Sequence, residues 1–131
     1  GLETQINVET PTCSVDLLPT FCALAGIDKP TWAEGVPLPE MGGEYDPKRV
    51  FFAFDAKNNP TTGGFKKYSI ALYRNFMKLT YYHQNDEPTF ELYDIQKDPA
   101  EKNNLANIET PELAELKQIM FDKLKEIGAE R

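Results

Sequence analysis

The period of the apolar residues changes twice along this chain. In residues 12–27 (TCSVDLLPTFCALAGI), Leu17, Leu18, Phe21, Leu24 and Ala25 recur at three- and four-residue spacing, which predicts a helix, and Gly26 supplies its left-handed stop. Pro19 does not oppose it. With Ser14, Val15 or Asp16 as the N-cap, the proline falls among the first four helical positions, whose N–H groups have no intrahelical acceptor. The helix is therefore expected to begin near Val15. Residues 28–48 carry Pro30, Pro37, Pro39 and Pro47 together with Gly35, Gly42 and Gly43, so neither a ladder nor a helix can run far. A connection of that length is expected to pack over a neighbouring surface or to join two subdomains.

Beyond it the period falls to two. RVFFAF (49–54), YSIALYR (68–74), FMKLTYY (76–82) and TFELY (89–93) read as strands. Tyr68, Ile70 and Leu72, then Met77, Leu79 and Tyr81, then Phe90 and Leu92 each fall on one face. A tight turn at Arg74-Asn75 and the polar HQNDEP connection suit antiparallel neighbours. The period then returns to that of a helix. Thr110 is an N-cap candidate, Pro111 stands at N1, Leu113, Leu116, Met120, Leu124 and Ile127 step by three or four, and Gly128 ends the run. The expected fold class is α+β: a four-stranded antiparallel sheet packed against a C-terminal helix, preceded by one separate helix.

Composition narrows the class. The chain has 131 residues, 40% hydrophobic and 11% aromatic, enough for a real core. No apolar run approaches the roughly 20 residues that cross a bilayer, so no membrane partner is expected. The net charge of -7, with Lys and Arg scattered, argues against nucleic acid. Cys13 and Cys22 sit on different turns of the expected helix and read as free. The first residue, Gly1, follows no leader pattern and reads as a processed end, which leaves the compartment open.

Four acids crowd FELYDIQKDPAEKNNLAN (90–107): Glu91, Asp94, Asp98 and Glu101. They do not match a calcium loop, because the D-x-D-x-D-G run is absent and Pro99 interrupts. Asp98, Pro99 and Glu101 instead resemble a capping box that opens a helical turn. His83 is the single histidine, too few for a histidine-based metal site within the chain. It reads either as a solvated loop residue or, at a strand end beside Tyr81 and Tyr82, as a substrate-side group. No nucleophile elbow occurs, so no catalytic residue and no metal ligand is assigned. The loop 55–67 (DAKNNPTTGGFKK) has two readings, an ordinary hairpin connection or a specificity loop in which Lys57, Lys66 and Lys67 meet an anion and Asn and Thr side chains, Asn58 among them, hydrogen-bond sugar hydroxyls.

The order VETPTCSVDLLPTFCALAGIDKP, EGVPLPEM, ALYRNFMKLTYY, FELYDIQKDPAEKNNLAN and a final amphipathic helix resembles the C-terminal part of the sulfatase family of the alkaline-phosphatase superfamily. Glu34, Pro37 and Ile95 depart from the family's usual Asp, Ser and Leu. The resemblance implies that residues 1–30 are the tail of a catalytic α/β domain with its last helix, 31–48 a connection, and 49–131 the C-terminal subdomain. It further implies a sulfuric ester hydrolase whose formylglycine and divalent cation, usually calcium, belong to the missing N-terminal catalytic domain. Neither Cys13 nor Cys22 has the Pro and Arg offsets of a formylglycine site, so this chain alone is expected to be inactive and to hold no cofactor. Lys57, Asn58 and His83 become substrate-contact candidates beside the cleft, for a sulfated small molecule or glycan. A periplasmic or secreted location is implied if the full enzyme carries a signal peptide. Two alternatives remain: a phosphonate or phosphodiester hydrolase of the same superfamily, or a stand-alone carbohydrate-binding or interaction module.

Overall fold

The computed structural model describes residues 7–56, 65–84 and 88–129. The chain divides into two compact units, Gly1–Arg49 and Val50–Arg131.

The first unit is built on a 3-10 turn, Ser14–Asp16, that runs into helix α1, Leu17–Ala25. The α-helix thus begins two residues later than the spacing predicts, and Pro19 occupies its first turn, where no hydrogen bond is lost. Cys13 precedes the helix rather than lying within it, and both cysteines are free. Gly26, at φ +68°, stops the helix as expected. Pro19, Thr20 and Cys22 are buried, whereas Leu17, Phe21 and Leu24 are 50%, 63% and 58% exposed. The stripe that defines the helix in sequence is therefore its open face.

The centre of this unit is Asp16, 1% exposed. Its Oδ2 accepts the Cys13 N–H (3.0 Å) and Arg49 Nη1 (2.8 Å), and its Oδ1 accepts the Val36 N–H (3.1 Å) and Arg49 Nη2 (2.6 Å). A buried carboxylate needs such partners, and the guanidinium fork meets both oxygens at once. Next to it, the Thr20 hydroxyl donates to the Asp16 carbonyl and accepts the Leu38 N–H. The Pro/Gly-rich stretch is thereby folded back onto α1. Lys29 closes it by donating to the carbonyls of Ala33 and Gly35. Gly35 is required there, since a Cβ would collide with the Val15 carbonyl oxygen.

The second unit is a four-stranded antiparallel meander in the order β1-β2-β3-β4: β1 (Val50–Ala56), β2 (Tyr68–Arg74), β3 (Met77–His83) and β4 (Thr89–Asp94). Asn75, at φ 54°, allows the two-residue turn that pairs Arg74 with Met77. Helix α2 (Pro111–Glu126) starts at Thr110, whose side chain accepts the Leu113 N–H, with Pro111 at its first position. Leu113, Leu116, Met120 and Leu124 are buried in one cluster with Tyr68, Ile70, Leu72, Leu79, Tyr81 and Leu92. The helix-period stripe meets the strand-period stripe, as the sequence predicts.

The 94–107 segment is scaffold, though of a different kind from a capping box. Asp94 Oδ1 accepts the N–H groups of Gln96 and Lys97, and Asp98 Oδ2 accepts those of Lys102 and Asn103. Glu101 has φ 53°, which stops any helix after a single turn, and its carboxylate pairs with Lys78 at 2.7 Å. The chain then runs along β4: Asn104 Oδ1 accepts the Leu92 N–H, and the Leu105 N–H donates to the Leu92 carbonyl. An edge that would otherwise offer unpaired groups is covered.

Leu116→Ala is expected to cost about 2–5 kcal/mol in urea unfolding. Ile108→Ala, at a position 63% exposed, should stay within about 0.5 kcal/mol. Equal losses would contradict the placement of α2.

The first unit carries a pH signature. Burial alone would raise the Asp16 pKa, but the hydrogen bonds from Arg49 and from the Cys13 and Val36 amides, with the Arg49 charge, hold it below the ordinary carboxylate value. Its contribution to stability is thus complete above an unfolded value of about 3.9 and is lost as pH falls through the lower folded value. Hydrogen-exchange protection at the Val36 amide should fall in that acid window, and Asp16→Asn should remove it near neutral pH. Protection indifferent to both would show that the ion pair does not hold the unit.

Candidate functional site

By register, Ala56 pairs with Tyr68 and Tyr68 with His83, while Tyr82 pairs with Thr89. Both long connections therefore begin and end at one edge of the sheet, the end that carries His83. Lys57 and Asn58, the other two substrate-side candidates, lie outside the described residues.

His83 is not the solvated loop residue that one reading of the sequence allowed. It closes β3 and is only 8% exposed. Its ring stacks on Tyr68 with centroids 4.8 Å apart and planes 17° from parallel, and Nδ1 shares a hydrogen bond with the Tyr81 hydroxyl at 3.3 Å. Tyr68 in turn donates to the Ala129 carbonyl at 2.7 Å, which ties the stack to the end of the chain after α2. Tyr81 also packs on Phe90 and Phe121. Strand alternation carried a signal for this burial, because Tyr81 and His83 are two residues apart on one strand and face the same way. Among the described residues, Nδ1 is the imidazole nitrogen that has a hydrogen-bond partner, and Nε2 has none.

The opposite face of the sheet carries a concavity of about 260 Å³, lined in part by Asp55, Ser69, Tyr73, Lys78 and Tyr82. Burial opposes the charge of Lys78, yet the hydrogen bond and charge of Glu101 raise its pKa. Tyr82 is pushed up to about 12, first by burial and then by its hydrogen bond to Glu91, so it stays a neutral donor. Sequence reasoning identified the polar side of these strands but not that they form a concavity.

None of the 90–107 acids is free for chemistry. Glu91 accepts from Tyr82, Glu101 from Lys78 and Asp94 from Lys97, and Asp98 caps the turn after it. Among the described residues no three His, Cys, Asp or Glu side chains gather as a metal site. Among the described residues no set of side chains fits a divalent cation. No described helix is long and apolar enough to cross a membrane.

Comparison with known proteins places this geometry. Residues 2–130 match the family model of the N-sulphoglucosamine sulphohydrolase C-terminal domain. The chain is 32% identical over 120 residues to an uncharacterized sulfatase of Escherichia coli K12, YidJ, covering 90% of this chain and 22% of that protein. It is 35% identical over 98 residues to a Delta 4,5-hexuronate-2-O-sulfatase of Bacteroides thetaiotaomicron, covering 71% of this chain and 19% of that protein. A solved 2-O GAG sulfatase, BT1596, superposes on 85% of this chain and 24% of its own, with a TM-score of 0.58 and 28% identity. The chain thus spans about a fifth of the length of the two relatives. A sheet–helix layer with no assembled reaction centre among its described residues, matched throughout to one domain type, belongs to the sulfatase family as its C-terminal domain.

Proposed function

We propose that the polypeptide carrying this chain hydrolyses a sulfuric ester on a saccharide and that this domain supports and shapes the cleft without supplying the reacting groups. The observation that carries the reading is the family match across residues 2–130, with relatives that are sulfatases of which the chain spans about a fifth. Two of the similar proteins act, by their names, on 2-O-sulfated uronates or glycosaminoglycans. A 2-O-sulfated uronide is therefore the substrate class of choice.

The formylglycine and a calcium ion, in this reading, belong to a preceding catalytic domain. This domain's own contribution would come from the sheet end at His83. The chemistry of the other candidate residues suits the ligand: Lys57 would supply a cation for sulfate or uronate, and Asn58 an amide for sugar hydroxyls. His83 is clamped between Tyr68 and Tyr81, so it would meet a ligand only through the ring edge that bears Nε2. A pre-set ring of this kind loses little freedom on binding.

The full-length polypeptide should release sulfate from an unsaturated 2-O-sulfated uronide disaccharide. Release only from phosphate or phosphonate esters would replace the reading with the other superfamily chemistry. Within the active protein, Lys57→Ala should lower kcat/KM by about tenfold, the worth of one charge-assisted hydrogen bond. His83→Gln should lower it without lowering Tm by more than the loss of one ring stack. Unchanged kcat/KM in both variants would take this domain out of substrate binding.

A further inference from the structure

Three rows of side chains face away from α2. Cross-strand pairing sets Phe51, Tyr73, Lys78 and Tyr93 in one row, Ala53, Ala71, Thr80 and Glu91 in the next, and Asp55, Ser69, Tyr82 and Thr89 in the third. Ala53, Ala71 and Thr80 of the middle row form the floor of the trough described above, with Tyr73 and Lys78 on one side and Asp55 and Tyr82 on the other. Four residues separate Tyr73 from Ser69 along β2, so the two outer rows run about 13 Å apart from backbone to backbone.

This face is unlike a solvated one. The exposed side of an antiparallel sheet ordinarily alternates to polar and charged residues. Here four of twelve positions are aromatic, two are alanine and three are charged. Lys78 is held by Glu101 and Glu91 by Tyr82, which leaves Asp55, exposed at the β1 end, as the charge with no hydrogen bond or ion pair among the described residues. Aromatic enrichment of this kind is a mark of an interface core. A sulfated glycan is the wrong occupant, because Asp55 and Glu91 would repel its anions and the Lys78 ammonium is already engaged. A protein ridge suits the trough better, because a row of apolar side chains can enter between Tyr73 and Tyr82. In the reading of this chain as part of a longer sulfatase, the remainder supplies such a ridge, as the relatives extend well beyond the fifth that this chain spans.

We propose that the trough between Tyr73 and Tyr82 seats an apolar ridge from the remainder of the sulfatase polypeptide, with a basic side chain set against Asp55. The proposal rests on the reading of this chain as the C-terminal domain of a longer sulfatase. Hydroxyl-radical footprinting of the full-length polypeptide and of residues 1–131 alone tests it. Tyr73 and Tyr82 should oxidise at least about fivefold more slowly in the full-length protein, as expected of side chains in a water-excluding interface core. Asp55→Lys in the full-length protein should return both tyrosines towards the rate seen in the isolated chain. Equal rates in the two proteins, or protection of the isolated chain by a sulfated disaccharide, would overturn the proposal. Sulfate release by a full-length protein whose tyrosines remain reactive would overturn the trough and leave the enzyme reading intact. Protection without sulfate release would support the trough and remove the enzyme reading.

Discussion

An apolar sheet face that cannot remain in water is the constraint on which residues 50–131 depend. Ile70, Leu72 and Leu79 lie at the middle of the meander, and Leu113, Leu116 and Met120 of α2 are fully buried against the same cluster. Burying each such side chain contributes about 1.5–3 kcal/mol before the cost of ordering the chain. A two-layer unit has no second core to fall back on. Everything else in this unit serves that contact: the Thr110 cap and Pro111 start α2, Gly128 turns the chain, and Tyr68 binds the carbonyl of Ala129 so that the end of the chain is held down.

The first unit is held differently. Its helix has nine residues and turns its leucines and phenylalanine outward, so apolar burial cannot be its main support. A buried carboxylate takes that place, gathering a 3-10 turn, an irregular segment and Arg49 around Asp16. Such a centre is directional. Removing one partner would strand the other charge, which is why buried pairs are costly to break even where their net contribution is modest.

Much of this was legible in the sequence, and the part that was not has a common cause. The four strands, α2 and its caps follow from local periods of two and 3.6 residues, and α1 follows from its stripe. Asp16 could not be ranked above any other acid, because its partners Val36 and Arg49 stand 20 and 33 residues away. The same holds for Asn104 and Leu105, whose covering of β4 is a long-range pairing. Glu101 was placed in a capping box by spacing alone, and its left-handed backbone overrules that. His83 was read from the connection beside it rather than from the strand it ends, although its alternation with Tyr81 already placed it on the packed face.

Taken together, the described residues stabilise two small scaffolds and leave no acid, thiol or histidine arranged for group transfer. The most direct test is to assay purified residues 1–131 with an aryl sulfate, over a range of protein concentrations and with calcium supplied. The account predicts no sulfate release above the uncatalysed background at any concentration. Release proportional to protein, retained through rigorous purification, would contradict it.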